Sequence, residues 1–285
     1  MITVQRAGDR FRTRTNWLDS RHCFSFGRHY DPDDTHFGLL LVSNDDVVDP
    51  GTGFDTHPHR DMEIVTWVLG GALVHQDSEG HNGVIYPGLA QRMSAGRGIL
   101  HSEKNDSWRL TGEPEHRDPV RFVQMWVAPD EAGLDPGYEQ LEIDAELLGG
   151  GLVPVASGRG AGHGEAAIRI RQKDATLHAA RLAPGASVAL PAAPYLHLYV
   201  AQGDLTLEGA AQQRGGEPRS GDLYGHSGDP RGTDPRSGDP RGDDLYQGDL
   251  HEGDAARIED AQGQRVSAGP AGAEILVWEM HAKLR

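Results

Sequence analysis

Apolar and polar residues alternate along this chain in short runs, and few stretches carry a helical period. Residues 37–42, 64–69, 122–127, 168–170, 196–200, 205–207 and 275–278 are apolar or alternating runs of strand length. Between them stand turn signals: Asp49-Pro50-Gly51, Pro87-Gly88, Pro136-Gly137 and Pro184-Gly185. The best short helical candidate covers 139–148. Many short strands punctuated by Gly and Pro predict an all-β chain folded as sandwiches or barrels.

The pattern also echoes itself. Val68-Leu69-Gly70-Gly71-Ala72-Leu73 resembles Val200-Ala201-Gln202-Gly203-Asp204-Leu205, and Gln124-Met125-Trp126-Val127 resembles Leu276-Val277-Trp278-Glu279. The intervals agree once residues 213–249 are set aside. In that stretch Asp-Pro-Arg recurs at Asp229, Asp234 and Asp239 among Gly and Pro, with too few apolar residues to build a core. It reads as a solvated surface insertion rather than a partner-binding arm, because closure entropy grows slowly with loop length. Two related β-domains are therefore expected, with a boundary within 129–144 and the insertion in the second.

Composition narrows the setting. The chain has 285 residues, one cysteine (Cys23) and a formal net charge of −16. A single cysteine excludes an internal disulfide framework and a cysteine-based zinc site, and suits a reducing, cytoplasmic compartment. No apolar run approaches the length of a spanning helix, and the arginine-rich first residues lack the apolar core of a signal peptide. The acidic balance argues against direct nucleic-acid or membrane binding. The chain is expected to be a monomer.

The chemistry concentrates in two short motifs. His57 and His59 are two residues apart, so on a strand both rings project from one face. Glu63 follows after three residues and Gly70 after six more. His101 and Glu103 repeat the i, i+2 spacing after Ser94-Ala95-Gly96-Arg97-Gly98, a segment suited to a tight turn. A lone His-x-His is common and usually means nothing. Two same-face pairs with further fixed offsets indicate one divalent metal. Three imidazoles and a carboxylate suit iron(II), manganese, nickel, copper or zinc, and leave positions open on an octahedral ion. The remaining histidines, including His75, His81, His116 and His163, lack such spacing and are read as surface or structural residues.

The string from His57 to Gly70, H-x-H-x-x-x-E-x-x-x-x-x-x-G, resembles the first cupin motif, and Gly88 through His101 to Asn105 resembles the second. The second is lengthened by two residues, and with His-Ser-Glu at 101–103 this variant is similar to the pirin family of bicupins. Phe24-Ser25-Phe26-Gly27, His75-Gln76-Asp77-Ser78 and Gln91-Arg92-Met93-Ser94-Ala95-Gly96 add to the likeness. The resemblance implies two consecutive cupin (jelly-roll) β-barrels: an N-terminal metal-binding domain over 1–135, and a metal-free C-terminal domain over 136–285 carrying the insertion at about 213–249. It implies metal ligands at His57, His59, His101 and Glu103, with iron(II) the first expectation and manganese, nickel, copper, zinc or cobalt as alternatives. Glu103 is then also the candidate base, and Glu63 a residue behind the ligands or an alternative base. Counting back from Gly203, the His57, His59 and Glu63 positions fall on Leu190, Ala192 and Leu196, none of which binds metal.

Two functions follow from the resemblance. One is a quercetin 2,3-dioxygenase-type enzyme acting on a flavonol-like aromatic substrate and O2. The other is a non-catalytic, iron-dependent regulatory protein acting through a protein partner. Flavonol loss with carbon monoxide release separates them.

Overall fold

The computed structural model of the chain describes residues 1–160, 166–210 and 245–284. The chain begins with β1 (Ile2–Gln5), β2 (Phe11–Arg14), β3 (Leu18–His22), β4 (Leu40–Val48), β5 (Gly53–His59) and β6 (Glu63–Gly70). There follow β7 (Leu73–Asp77), β8 (Asn82–Ile85), β9 (Leu89–Ser94), β10 (Ile99–Lys104), the single turn α1 (Trp108–Thr111) and β11 (Val120–Val127). Next come β12 (Gly137–Glu142), the single turn α2 (Asp144–Leu147), β13 (Val153–Ser157), β14 (Ile168–Arg169) and β15 (Ala175–Leu182). The last strands are β16 (Ser187–Ala189), β17 (Ala192–Ala210), β18 (Leu245–His251), β19 (Ala255–Gln262) and β20 (Arg265–Met280). Among the described residues no helix is long and apolar enough to cross a membrane.

The all-β expectation holds, and the sheets are of jelly-roll type. The first half builds a seven-stranded sheet, β12-β9-β6-β11-β4-β3-β2, and a four-stranded sheet, β5-β10-β7-β8. The second half builds a nine-stranded sheet along β1-β19-β17-β20-β15-β13-β14, with β16 and β18 attached. Strand β1 thus belongs to the second half's sheet, pairing Ile2–Gln5 with Ala255–Ile258.

Strand parity on β6 decides what faces where. Val65, Trp67 and Leu69 pack with Tyr199, Trp278 and Met280 in the core shared by the two halves. Ile64 and Val68 point the other way, Ile64 against Met93 and Ile99 and Val68 against Val48, Phe122 and Leu73. Between them lies a row of buried polar residues in register across five strands: His22, Asn44, Gln124, Thr66 and Gln91. A row of polar side chains on an inner sheet face is costly unless partnered, and three of the five, His22, Asn44 and Gln124, line a cavity.

The internal echo is visible in the ladders. Val127 of β11 pairs with Glu63, and Glu279 of β20 pairs with Leu196. The 196–200 and 205–207 runs merge into the long β17. The helix expected over 139–148 is corrected: Gly137–Glu142 is an edge strand on β9, and only Asp144–Leu147 is helical. Pairing with β9 and the Arg92–Glu139 ion pair, 2.8 Å, outweigh a weak local helical preference. Of the stretch expected as an insertion, 213–244 lies outside the described residues, and 245–249 belongs to β18.

Candidate metal centre

The four-stranded sheet carries the two motifs side by side. His101 of β10 stands directly opposite His57 of β5. Alternation puts His57 and His59 on one face, and His101 and Glu103 on one face of β10. The turn before β10 needs its glycines. Gly96 has φ +47°, and a Cβ there would lie 2.2 Å from the Leu134 carbonyl.

The rings of His57, His59 and His101 converge, with centroids 4.4–4.9 Å apart, and one ring nitrogen from each lies within 4.8 Å of the others. His57 Nδ1 is 2.7 Å from the Asp55 carbonyl, which can only accept, so the proton is on Nδ1 and Nε2 turns inward. His57 Nε2 faces His101 Nε2 at 3.0 Å. His59 Nε2 is buried and has no partner. A proton could satisfy two of these nitrogens; a cation satisfies all three, and 3.0 Å is a separation that nitrogens about 2.1 Å from one ion can take up. Burial first, and then the neighbouring histidine charges, push His59 down to about 4 and His101 down to about 3. Both rings are therefore neutral at pH 7, as a metal-binding imidazole must be.

Glu103 is also buried, at 3% exposed, and lines the same cavity as His57 and His59. Both its carboxylate oxygens accept from Gln124 Nε2, at 2.8 and 2.9 Å. The cavity has a volume of about 710 Å³ and opens between the two sheets of the first half. Trp17, Phe26, Phe54 and Trp126 form apolar walls. Asp46 lies on the wall with Oδ1 unpartnered. Burial chiefly, with like charge from Asp45 and Glu103, pushes it up to about 7 against a hydrogen bond from Ser20.

Glu63 is elsewhere, and the expectation that it stands behind the ligands or acts as an alternative base is corrected. Its Oε2 accepts from Ser94 Oγ at 2.8 Å and from the Arg171 backbone N–H at 3.0 Å, on the face of β6 turned toward the second half. Odd-numbered β6 residues share that face, so parity keeps Glu63 out of the lumen.

The sequence reading also passed over His75. It is 1% exposed, and its Nδ1 lies 3.4 Å from His101 Nδ1 while its Nε2 lies 3.1 Å from Asp77. The signal was present: His75 and Asp77 repeat the i, i+2 spacing of the other two pairs.

The sequence profile described as Pirin matches residues 4–127. A relative from Mycobacterium tuberculosis, provisionally named a quercetin 2,3-dioxygenase, is 53% identical over 283 residues, covering 99% of this chain and 96% of the relative. The chain belongs to the pirin family. An Escherichia coli relative named quercetin 2,3-dioxygenase is 46% identical over 145 residues, 51% of this pirin and 59% of that protein. The crystal structure of YhhW from E. coli superposes with a TM-score of 0.75 at 30% identity over the whole of both chains. The bacterial pirin YhhW in complex with nickel(II) gives 0.73 at 29%. The ring nitrogens gathered in this pirin are of the kind a first-row divalent metal accepts.

Proposed function

We propose that this pirin is a metal-dependent dioxygenase that opens the heterocycle of flavonols such as quercetin, with iron(II) held by His57, His59, His101 and Glu103. The observation that carries the reading is the convergence of three imidazoles beside an aromatic-lined cavity, with His59 Nε2 buried and unpartnered and His57 Nε2 facing His101 Nε2 at 3.0 Å. Relatives named quercetin 2,3-dioxygenase support the reaction class. When bound, the ion supplies Lewis acidity toward an enolised hydroxyl and a meeting point for substrate and O2.

The chain's own residues do the rest. A cavity of about 710 Å³ lies within the usual range of about 300–1,000 Å³ for small-molecule sites. Trp17, Phe26, Phe54 and Trp126 offer faces to a planar ring system and exclude water. Glu103 is the base that takes the hydroxyl proton, and Gln124 holds it in place through both carboxylate oxygens. Residues 1–135 form the catalytic unit in this reading, and 136–285 a metal-free support, with Leu190 and Leu196 buried in its core.

The test is anaerobic loading with iron(II), exposure to O2 and quercetin, and measurement of flavonol loss, O2 uptake and carbon monoxide. Stoichiometric carbon monoxide supports the reading. A fully loaded chain without turnover on any flavonol overturns it and favours regulation through a protein partner.

A further inference from the structure

The histidine cluster is backed by a second set of titratable groups that the proposed reaction leaves unused. Asp77, at the end of β7, has a fully buried side chain. Its Oδ1 accepts from the backbone N–H groups of Glu79 and His81, both at 3.0 Å, so the β7–β8 turn fixes the carboxylate. Its Oδ2 meets His75 Nε2 at 3.1 Å and His81 Nδ1 at 3.0 Å. The ring of Tyr138 covers His75 at 4.8 Å and stacks on His81 at 5.4 Å. That seat requires Gly83, where a Cβ would stand 2.5 Å from the Tyr138 hydroxyl.

The hydrogen-bond order is then fixed by what each group can do. A carboxylate has no proton to give, so His75 donates through Nε2. Its Nδ1 is left as an acceptor, and the atom facing it at 3.4 Å is His101 Nδ1. His101 must donate there, which leaves its Nε2 bare and directed at His57 Nε2. A histidine ligand is oriented in this way by the partner of its other nitrogen.

We propose that Asp77 and His75 are positioning residues, a carboxylate–imidazole pair that holds the proton of His101 on Nδ1 and so prepares Nε2 to bind metal. The pair rests on the metal reading above, but makes a separate claim. Loss of the pair frees His101 to take the other tautomer and to rotate, which weakens the site without removing a ligand.

The experiment uses the full chain and nickel(II), titrated against a chelating competitor, with the melting temperature of the metal-free protein as a control for folding. Asp77→Asn and His75→Ala are expected to weaken nickel binding by about 10–100-fold. His75→Gln keeps an acceptor oxygen for His101 and is expected to recover most of the loss. In the cobalt(II)-loaded protein, the strongly shifted, solvent-exchangeable His101 Nδ1 proton should be seen by NMR. It should persist in His75→Gln and be lost to exchange in His75→Ala and Asp77→Asn. If both of the latter bind nickel within about threefold of wild type and keep that signal, the pair is overturned. Equal loss in His75→Ala and His75→Gln also overturns it, since a packing role alone would give that result. Wild type that takes up no nickel, or binds it equally well as His57→Ala, overturns the metal reading and the pair with it.

Discussion

Gln124 holds Glu103 from the opposite sheet, one amide nitrogen reaching both carboxylate oxygens at 2.8 and 2.9 Å. The amide is itself fixed, because its Oε1 accepts from Trp126 Nε1 at 2.9 Å. A buried carboxylate deprived of such a donor bears an uncompensated cost of about 1–3 kcal/mol. Gln124→Leu should therefore lower kcat by about tenfold or more while the three histidines retain metal. Steady-state flavonol kinetics with metal analysis of the same sample checks this, and unchanged kcat refutes it.

Glu103→Gln and Glu63→Gln should separate cleanly. Removing the base at Glu103 should cost about 10²–10⁴ in kcat. Glu63→Gln keeps the shape of a group that touches Ser94 and Arg171 rather than the cavity. Its effect should appear in stability, within about 1 kcal/mol, with metal content unchanged. Metal lost from Glu63→Gln but kept in Glu103→Gln would reverse the assignment.

Acid sensitivity should come partly from the second half. Burial opposes ionisation of Glu279, yet hydrogen bonds from His178 at 2.9 Å and His281 at 2.7 Å, with the charges of His178 and Arg159, hold its carboxyl down at about 2. A depressed carboxyl stabilises the fold above its unfolded value. That stabilisation is present at neutral pH and is lost as pH falls from about 4.5 toward 2. Glu279→Gln should lower stability at pH 7 and flatten that acid limb, as read by urea unfolding at several pH values. An unchanged limb would count against it.

Residues 211–244 should be dispensable. Ala210 and Leu245 are paired in the β17–β18 ladder, so an Asn-Gly turn can join them. Shortening a loop costs little in closure entropy and can even lower it. The shortened chain should melt within a few degrees of the full chain and bind added nickel(II) with the same affinity, roughly what a change under 1 kcal/mol allows. Failure to fold would give the stretch a structural role.

Much of the site was legible because its signal is local. Two residues apart on a strand means one face, so His57 with His59 and His101 with Glu103 could be paired without any knowledge of the fold. What was not legible depends on parity and on distant partners. Glu63 lies in the same motif, but only the packing of Val65 and Trp67 against Trp278 shows that its face is turned away from the lumen. Glu139 to Glu142 reads as helix until β9 offers an edge to pair with. His75 and Asp77 share the spacing of the other pairs, but only β7 laid beside β10 shows which cluster they join.

Strand β1 closes a ladder of very long sequence separation. Thr3 pairs with Arg257, and Arg6 and the Ala7 N–H both bond to the Asp254 carboxylate at 2.7 Å. Residues 248 apart in the chain are thus seated against each other. The edge of the second sheet cannot be completed until residues 255–258 are in place, however early β2–β11 assemble around the histidines. Contacts of such long sequence separation slow the final step of folding. A chain lacking β19 would expose a bare edge on β17 and leave residues 2–5 without a partner strand.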